Sequence, residues 1–321
     1  MKAAIVTVSG RPPVYTDFAE PTAGDGEVLV DVTTAPLSHV TRYRASGTHY
    51  SSAGSLPFVV GLDGVGRQQG KNGGQRVYFI LPRAPFGSMA ERTVVKATHL
   101  VALPDGLDDA TAAAIAIPAM SSWAALRERS RLEPGQVVLV NGATGISGRL
   151  AVQIAKHLGA GKVIATGRNP RMLAALPSLG ADGTISLVQE EEALDDAFQK
   201  LFSDGVDIVL DYLWGSSAER LLAAAAKTSR DAKLVRFVQI GSSGGPKISL
   251  PATTIRSSGL ELIGCGMGSI PFEQMLATIA RVFAAAVPHS LAITLKILPL
   301  AEIESNWAID TTATRTVFVN S

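Results

Sequence analysis

The chain lacks much of what several protein classes require. Its 321 residues include one cysteine, Cys265, which excludes an intramolecular disulfide and a cysteine-rich zinc lobe. A reducing, cytoplasmic setting is expected. Neither charge is in excess, since 29 Lys and Arg face 28 Asp and Glu for a net of +1. A nucleic-acid partner, which calls for a concentrated basic surface, is not expected. Long hydrophobic runs are missing too. The richest apolar stretch, residues 111–120, is broken by Pro118 and is shorter than the roughly 18 residues that span a bilayer, so no membrane partner is expected. The opening MKAAIVTVSGRPPVY has no long apolar core or small-residue cleavage site and reads as a first strand. No repeat with a period of about 20 to 50 residues is present, which argues against solenoids and propellers.

What remains is ample material for a globular chain, 46% hydrophobic and 18% charged. Residues 1–113 are rich in Val, Thr, Gly and Pro, with short alternating runs such as EVLVDVTTAP (27–36) and QRVYFI (75–80). These predict small strands joined by turns, hence an antiparallel β-domain. Residues 114–286 change texture to Ala-rich helical stretches and apolar strands, clearest at 137–140, 162–166, 207–211 and 234–240. Helical patterns at 146–159 and 219–228 lie between some of them. This alternation predicts a parallel sheet covered on both faces, the doubly wound α/β class. In residues 287–321 short mixed strands return, and the chain's end is expected to rejoin the first domain.

One segment carries most of the chemistry. VVLVNGATGISGRLAVQIAKHLGAGKVIATGRN (137–169) reads as strand, glycine turn, amphipathic helix and second strand. The turn holds Ala143, Thr144, Gly145, Ile146 and Gly148, a variant of G-x-G-x-x-G with Ala in first place. Gly145 lets a pyrophosphate approach the backbone at the helix N-terminus, and Gly148 lets the helix pack closely. A dinucleotide is the expected ligand. A site for NAD places Asp or Glu at the end of the second strand, on the ribose 2′-hydroxyl. Here that end is Gly167, followed by Arg168 and Asn169, and no acid is present. Arg168 offers a permanently charged planar fork to a 2′-phosphate, so NADPH is expected rather than NADH. Arg171 adds either a second phosphate contact or a solvated charge at a helix start.

These motifs, together with PFVVGLDGVG (57–66), GSMAERTVV (87–95), LPDGLDDATAAAIAIPAMSSWAAL (103–126), DIVLDYLWG (207–215) and VQIGSSGG (238–245), resemble the medium-chain dehydrogenase/reductases, specifically their zinc-free quinone oxidoreductase-like branch. The resemblance covers nearly the whole chain. It implies a GroES-like β-barrel domain with an inserted Rossmann domain and, commonly in this family, a homodimer formed by pairing edge strands; VRFVQIG and LELIGCG are the candidates. Zinc members carry a Cys where this chain has Ser38, and Gly-His-Glu where it has Gly61-Leu62-Asp63. Leu62 cannot ligate a metal, and His39 with His49 makes a poor zinc set, so no metal is expected. Without a Lewis acid, alcohol oxidation loses its usual means of stabilising an alkoxide.

The resemblance then implies hydride transfer from NADPH to a small-molecule quinone or α,β-unsaturated carbonyl, whose conjugation spreads the arriving negative charge. Two alternatives stay open: an aldehyde or ketone reductase, and an NADPH-binding sensor or structural protein. Ser121 matches a position beside the nicotinamide, or caps a helix start. Backbone at Ile240, Gly241, Ser242 and Cys265 matches the family's nicotinamide-contacting strand ends. Tyr43 matches an active-site tyrosine and Tyr50 follows it; either phenol donates to a carbonyl oxygen, or is an amphipathic tyrosine of the β-domain. Ser38 and Thr41 replace the Asn and Asp of the relatives' Asn-Pro-x-Asp pattern. Leu187 stands where relatives often have a Tyr against the cofactor. Trp123, Trp214 and Trp307 are pocket walls or core, and Glu190–Glu192 reads as a solvated helix start.

Overall fold

The computed structural model describes residues 1–47, 56–70, 74–289, 291–309 and 312–320. Along the chain come β1 (Lys2–Val6), β2 (Val14–Asp17), β3 (Glu27–Pro36), α1 (His39–Ala45), β4 (Phe58–Val59), β5 (Asp63–Gln68), β6 (Arg76–Ile80), β7 (Arg92–Lys96), β8 (Leu100–Ala102) and α2 (Asp109–Ala124). A regular alternation follows: β9 (Val137–Asn141), α3 (Ile146–His157), β10 (Lys162–Gly167), α4 (Pro170–Ala175), β11 (Gly183–Ser186), α5 (Glu191–Gly205), β12 (Ile208–Asp211), α6 (Gly215–Thr228), β13 (Leu234–Gln239), α7 (Ala252–Arg256), β14 (Gly259–Gly264) and α8 (Phe272–His289). The last elements are β15 (Leu295–Pro299), α9 (Ile303–Asn306) and β16 (Arg315–Val319).

The chain divides into two units, one of Met1–Ala116 with Ile279–Ser321, the other of Ile117–Thr278. Both passages between units run inside helices, α2 and α8, three and eight residues from the changes of texture at 113/114 and 286/287. In the first unit, a three-stranded antiparallel sheet has the order β2-β1-β4. A seven-stranded sheet runs β15-β16-β3-β5-β6-β8, with β7 also on β3. The late strand β16 pairs antiparallel with β3, placing Val317 opposite Pro36 and Phe318 opposite Ala35. That pairing brings the chain's last segment into the first sheet. Ala35, Leu37, Val60, Met89 and Phe318 are buried together in its core.

The second unit is a six-stranded parallel sheet in the order β11-β10-β9-β12-β13-β14. In this doubly wound order the sheet starts at β9, grows to one side, and resumes on the other at β12. Central strands show why they lie inside: all four residues of β12 are buried, and so are four of the five in β9. Two covered faces demand apolar residues at every position rather than every second one. The flanking helices show the other period. In α5 the buried residues are Leu194, Phe198, Leu201 and Phe202, one stripe at helical spacing, while Glu191 and Glu192 occupy the exposed first turn. Each such Leu or Phe contributes about 1.5–3 kcal/mol through burial. The first unit, antiparallel among its described strands except for the parallel pair β15–β16, and the inserted Rossmann unit make up the GroES-like plus Rossmann architecture.

Candidate active site

The glycine turn sits where the sheet order reverses. β9 ends at Asn141, and Gly142 turns the chain with φ +88°, a conformation that favours glycine. Gly145 precedes α3 in extended backbone, with no side chain capping the helix and no acid in its first turn. Amide N–H groups at this helix start are therefore left for an external anion. At Gly148 a Cβ would lie 2.4 Å from the Gly142 carbonyl oxygen and 2.6 Å from Ala143 Cα, so only glycine lets α3 pack this close. At Gly145 the nearest atom would be 3.8 Å away, which leaves the backbone open to approach. Ala143 is buried, and its N–H donates to the Thr166 carbonyl at 2.7 Å.

The end of β10 bears on which dinucleotide fits. A Cβ on Gly167 would stand 2.3 Å from Thr144 Cγ2 and 2.9 Å from its Oγ1. No acid fits there unless Thr144 moves. Arg168 beside it is exposed, as is Arg171 in the first turn of α4. Asn169 acts locally, its Oδ1 accepting the Met172 N–H at 3.1 Å and so capping α4. Donors, open backbone and exposed cations at residues 143–148, Gly167, Arg168 and Arg171 have the chemistry that a phosphorylated dinucleotide would need.

Behind the turn lies a polar cluster that sequence reasoning missed. Asn141 Nδ2 donates to Asp211 Oδ1 at 2.8 Å, while Asn141 Oδ1 accepts from Thr166 Oγ1 at 2.6 Å and Ser217 Oγ at 3.0 Å. Thr166 Oγ1 also accepts the Gly142 N–H at 3.2 Å. Asp211 receives the N–H groups of Leu213 and Trp214. Three strand ends are thus tied together under the glycine turn. Burial pushes the Asp211 carboxyl from 3.8 up to about 6, against the pull of its hydrogen bonds. Polar residues closing buried apolar strands were the available signal.

On the other side of the reversal, the N–H groups of Ile240 and Gly241 both donate to the Asp211 carbonyl, at 2.8 and 3.1 Å. Ser242 follows them in an exposed position. Ser121 lies inside α2, three residues after Pro118, so it is no helix-start cap; its Oγ donates to the Pro118 carbonyl at 2.8 Å. Cys265 donates its N–H to the Gln239 carbonyl and its thiol to the Ser121 carbonyl, at 2.8 and 3.8 Å. Burial raises that thiol to about 11, so it stays protonated and unreactive at neutral pH. Next to Ser121, the Ser122 hydroxyl pairs with the Tyr212 phenol at 2.8 Å, and burial holds that phenol well above its ordinary range. The Ser122–Tyr212 pair was also missed, its members being 90 residues apart.

In the first unit Ser38 caps α1, its Oγ accepting the Thr41 N–H at 3.0 Å and lying 2.9 Å from Thr41 Oγ1. Tyr43 is 54% exposed, with its ring 6.3 Å from that of His39. Tyr50 and His49 fall outside the described residues. Leu62 is buried, and Asp63 next to it accepts from the Tyr78 phenol at 3.0 Å. Burial drives the Asp63 carboxyl up to about 6, although the buried Arg315 charge and the Tyr78 hydrogen bond pull it down. Trp123 sits 5.4 Å from the His157 ring and Trp307 against the first unit's core, whereas Trp214, 6.4 Å from Phe237, also lines a cavity with Gln239, Ser242 and Leu262. Leu187 packs against the core of the second unit.

Comparison with known proteins decides the family. The chain is 30% identical to the probable NADPH-dependent quinone reductase of Emericella nidulans, over 99% of this chain and 100% of that protein. The chain belongs to the quinone oxidoreductase-like branch of the medium-chain dehydrogenase/reductases. A further relative, the 2-methylene-furan-3-one reductase of Solanum lycopersicum, is 32% identical over 63% of this chain and 56% of that protein. The quinone oxidoreductase of Thermus thermophilus, also solved in complex with NADPH, superposes with a TM-score of 0.80 at 28% identity, covering 99% of this chain and 100% of that one. Residues 148–281 match the family model described as zinc-binding dehydrogenase. That match begins beyond Ser38 and Leu62, the positions where zinc members of the superfamily carry ligands. In this quinone oxidoreductase-like chain the first is a helix cap and the second an apolar core residue.

Proposed function

We propose that this protein is an NADPH-dependent oxidoreductase that delivers hydride to a quinone or an α,β-unsaturated carbonyl. The observation that carries the cofactor reading is Gly167, packed so closely on Thr144 that an acid for the 2′-hydroxyl has no space, with Arg168 exposed beside it. When bound, NADPH supplies a hydride from its nicotinamide ring. The start of α3 holds the pyrophosphate, and Arg168 with Arg171 holds the 2′-phosphate. Ser121 and the backbone at 240–242 and Cys265 orient the nicotinamide. On the acceptor side Ser38, Tyr43 and Tyr50 supply hydroxyl groups, and a phenol or water provides the proton that completes reduction.

Support for the acceptor class comes from the names of the relatives, a quinone reductase and an enone reductase, and from Leu62 standing at a zinc-ligand position. The protein works in the cytosol as a homodimer through β14, an edge strand of the parallel sheet, where Leu262 is 42% exposed; the other candidate, VRFVQIG, lies in β13 between β12 and β14 and has no free edge. The test is loss of 340 nm absorbance with NADPH, after chelator treatment, against 1,4-benzoquinone, a small enone and a simple aldehyde. Oxidation with quinone or enone and little with aldehyde is the expected result. Activity with the aldehyde alone would overturn the acceptor reading in favour of a carbonyl reductase.

A further inference from the structure

Helix α2 does not end as an α-helix. Residues Ala125–Arg129 continue it as a π-turn, in which the Ser130 N–H donates to the Ala125 carbonyl at 2.8 Å, one residue further back than the α pattern. The buried Ser130 hydroxyl donates to that same carbonyl at 2.7 Å. One extra residue in a helical turn shifts the phase of whatever follows by about 100° around the axis. Two neighbouring side chains of this turn then reach two other elements of the second unit. Arg129 Nε donates to the carbonyl of Gly264, the last residue of β14, at 2.9 Å. Glu128 accepts from the side-chain amide of Gln274, near the start of α8.

The segment bracketed by these two bonds opens with Gly264-Cys265-Gly266-Met267-Gly268-Ser269. A Cβ at Gly264, Gly266 or Gly268 would meet nothing within 4 Å, so packing does not fix the backbone at these three positions. Hydrogen bonds carry more of the conformation as a result. The Cys265 N–H donates to the Gln239 carbonyl at 2.8 Å, its thiol to the Ser121 carbonyl at 3.8 Å, and the Gly266 N–H to Ser269 Oγ at 2.8 Å. Arg129 supplies a charged donor to this set, and charge-assisted bonds are the stronger class.

We propose that Arg129 is a positioning residue, whose hold on the Gly264 carbonyl fixes the loop at 264–269 so that the Cys265 backbone sets the nicotinamide in its hydride-donating geometry. This rests on the NADPH reading above and adds a residue to it. Arg129 was not among the sequence-predicted site residues. In that reading the phosphates are held elsewhere, at the start of α3 and at Arg168, so a displaced loop acts on the rate rather than on cofactor affinity.

The test has two readouts, and the first needs no turnover. Cys265 is the chain's one cysteine, so labelling by dithionitrobenzoate reports on this loop alone. Arg129 is half-exposed, and its replacement leaves no buried gap. Arg129→Met is expected to label at least about tenfold faster than the wild type, because access governs the exchange of a buried thiol. Arg129→Lys should fall between them, and Arg127→Met, an exposed position on the same turn, should match the wild type. Loss of the cation by itself disfavours the thiolate and predicts slower labelling, so a faster rate reports exposure. In the second readout, turnover of NADPH with 1,4-benzoquinone, Arg129→Met should lose at least about tenfold in kcat while its NADPH dissociation constant moves less than about twofold. Lysine should restore part of the rate. Wild-type labelling or wild-type kcat in Arg129→Met, an equal loss in Arg127→Met, or a fall in NADPH affinity as large as the fall in kcat would each overturn the proposal. A wild type that neither binds nor oxidises NADPH would instead sink the reading beneath it, whereas normal wild-type turnover with an unaffected Arg129→Met would sink only the role of Arg129.

Discussion

In the proposed reading Gly167 and Arg168 share the choice of cofactor, one by leaving little space for an acid and the other by supplying a cation. Arg168→Ala removes an exposed charge, so its expected effect is confined to NADPH: affinity about tenfold weaker, within the range of a charge-assisted bond, and NADH affinity unchanged. Fluorescence titration with both nucleotides checks this, and an unchanged preference would remove Arg168 from the site. Gly167→Asp is expected to weaken NADPH without gaining NADH, because the new Cβ meets Thr144 at 2.3 Å. Combining it with Thr144→Gly should open the space, and a rise in NADH affinity only in the double variant is the expected signature. As candidates these two positions can be read in the sequence because what they require is local: a missing side chain and a neighbouring charge. For Ser121 the capping alternative fails, since Pro118 lies inside α2 and does not end it.

Between elements, α3 is held to its turn by contact at Gly148. Gly148→Ala places a methyl 2.4 Å from the Gly142 carbonyl, so α3 must shift outward. Thermal unfolding should show a loss of about 1–3 kcal/mol, the usual cost of overpacking, together with weaker NADPH binding. The strand ends below carry a different signature. In the native protein Asp211 holds its proton up to about 6 rather than 3.8, so between those pH values the folded state binds a proton that the unfolded chain has released. The contribution of this carboxyl to stability therefore falls as pH rises from about 4 to about 6 and is level above that. Urea unfolding of wild type and Asp211→Asn across this window should show the wild type losing ground to the variant as pH rises. A constant difference would contradict the burial argument. The alternation of strand and helix was readable from hydrophobic period, yet the Asn141–Thr166–Asp211–Ser217 cluster was not, because its members converge from three strands and a helix and none makes a motif alone. The buried Asp63–Tyr78 pair was hidden for the same reason.

For the whole molecule, the late return of β-texture pointed to the return of the chain's end to the first sheet, while the passages themselves fall inside α2 and α8, a few residues from the changes of texture, because a continuous helix carries the chain across each one. Pairing of two copies through β14 is expected to make the protein a dimer by sedimentation. Leu262→Glu on that strand should yield monomer without loss of fold, and a monomeric wild type would refute the edge-pairing proposal. The central claim is an NADPH-specific hydride donor acting on quinones. Its most direct test is the initial rate of 340 nm loss with 1,4-benzoquinone, measured for NADPH and NADH over matched concentrations. The account expects kcat/KM to favour NADPH by at least about tenfold, a gap of about 1.4 kcal/mol. Equal rates, or a preference for NADH, would contradict it.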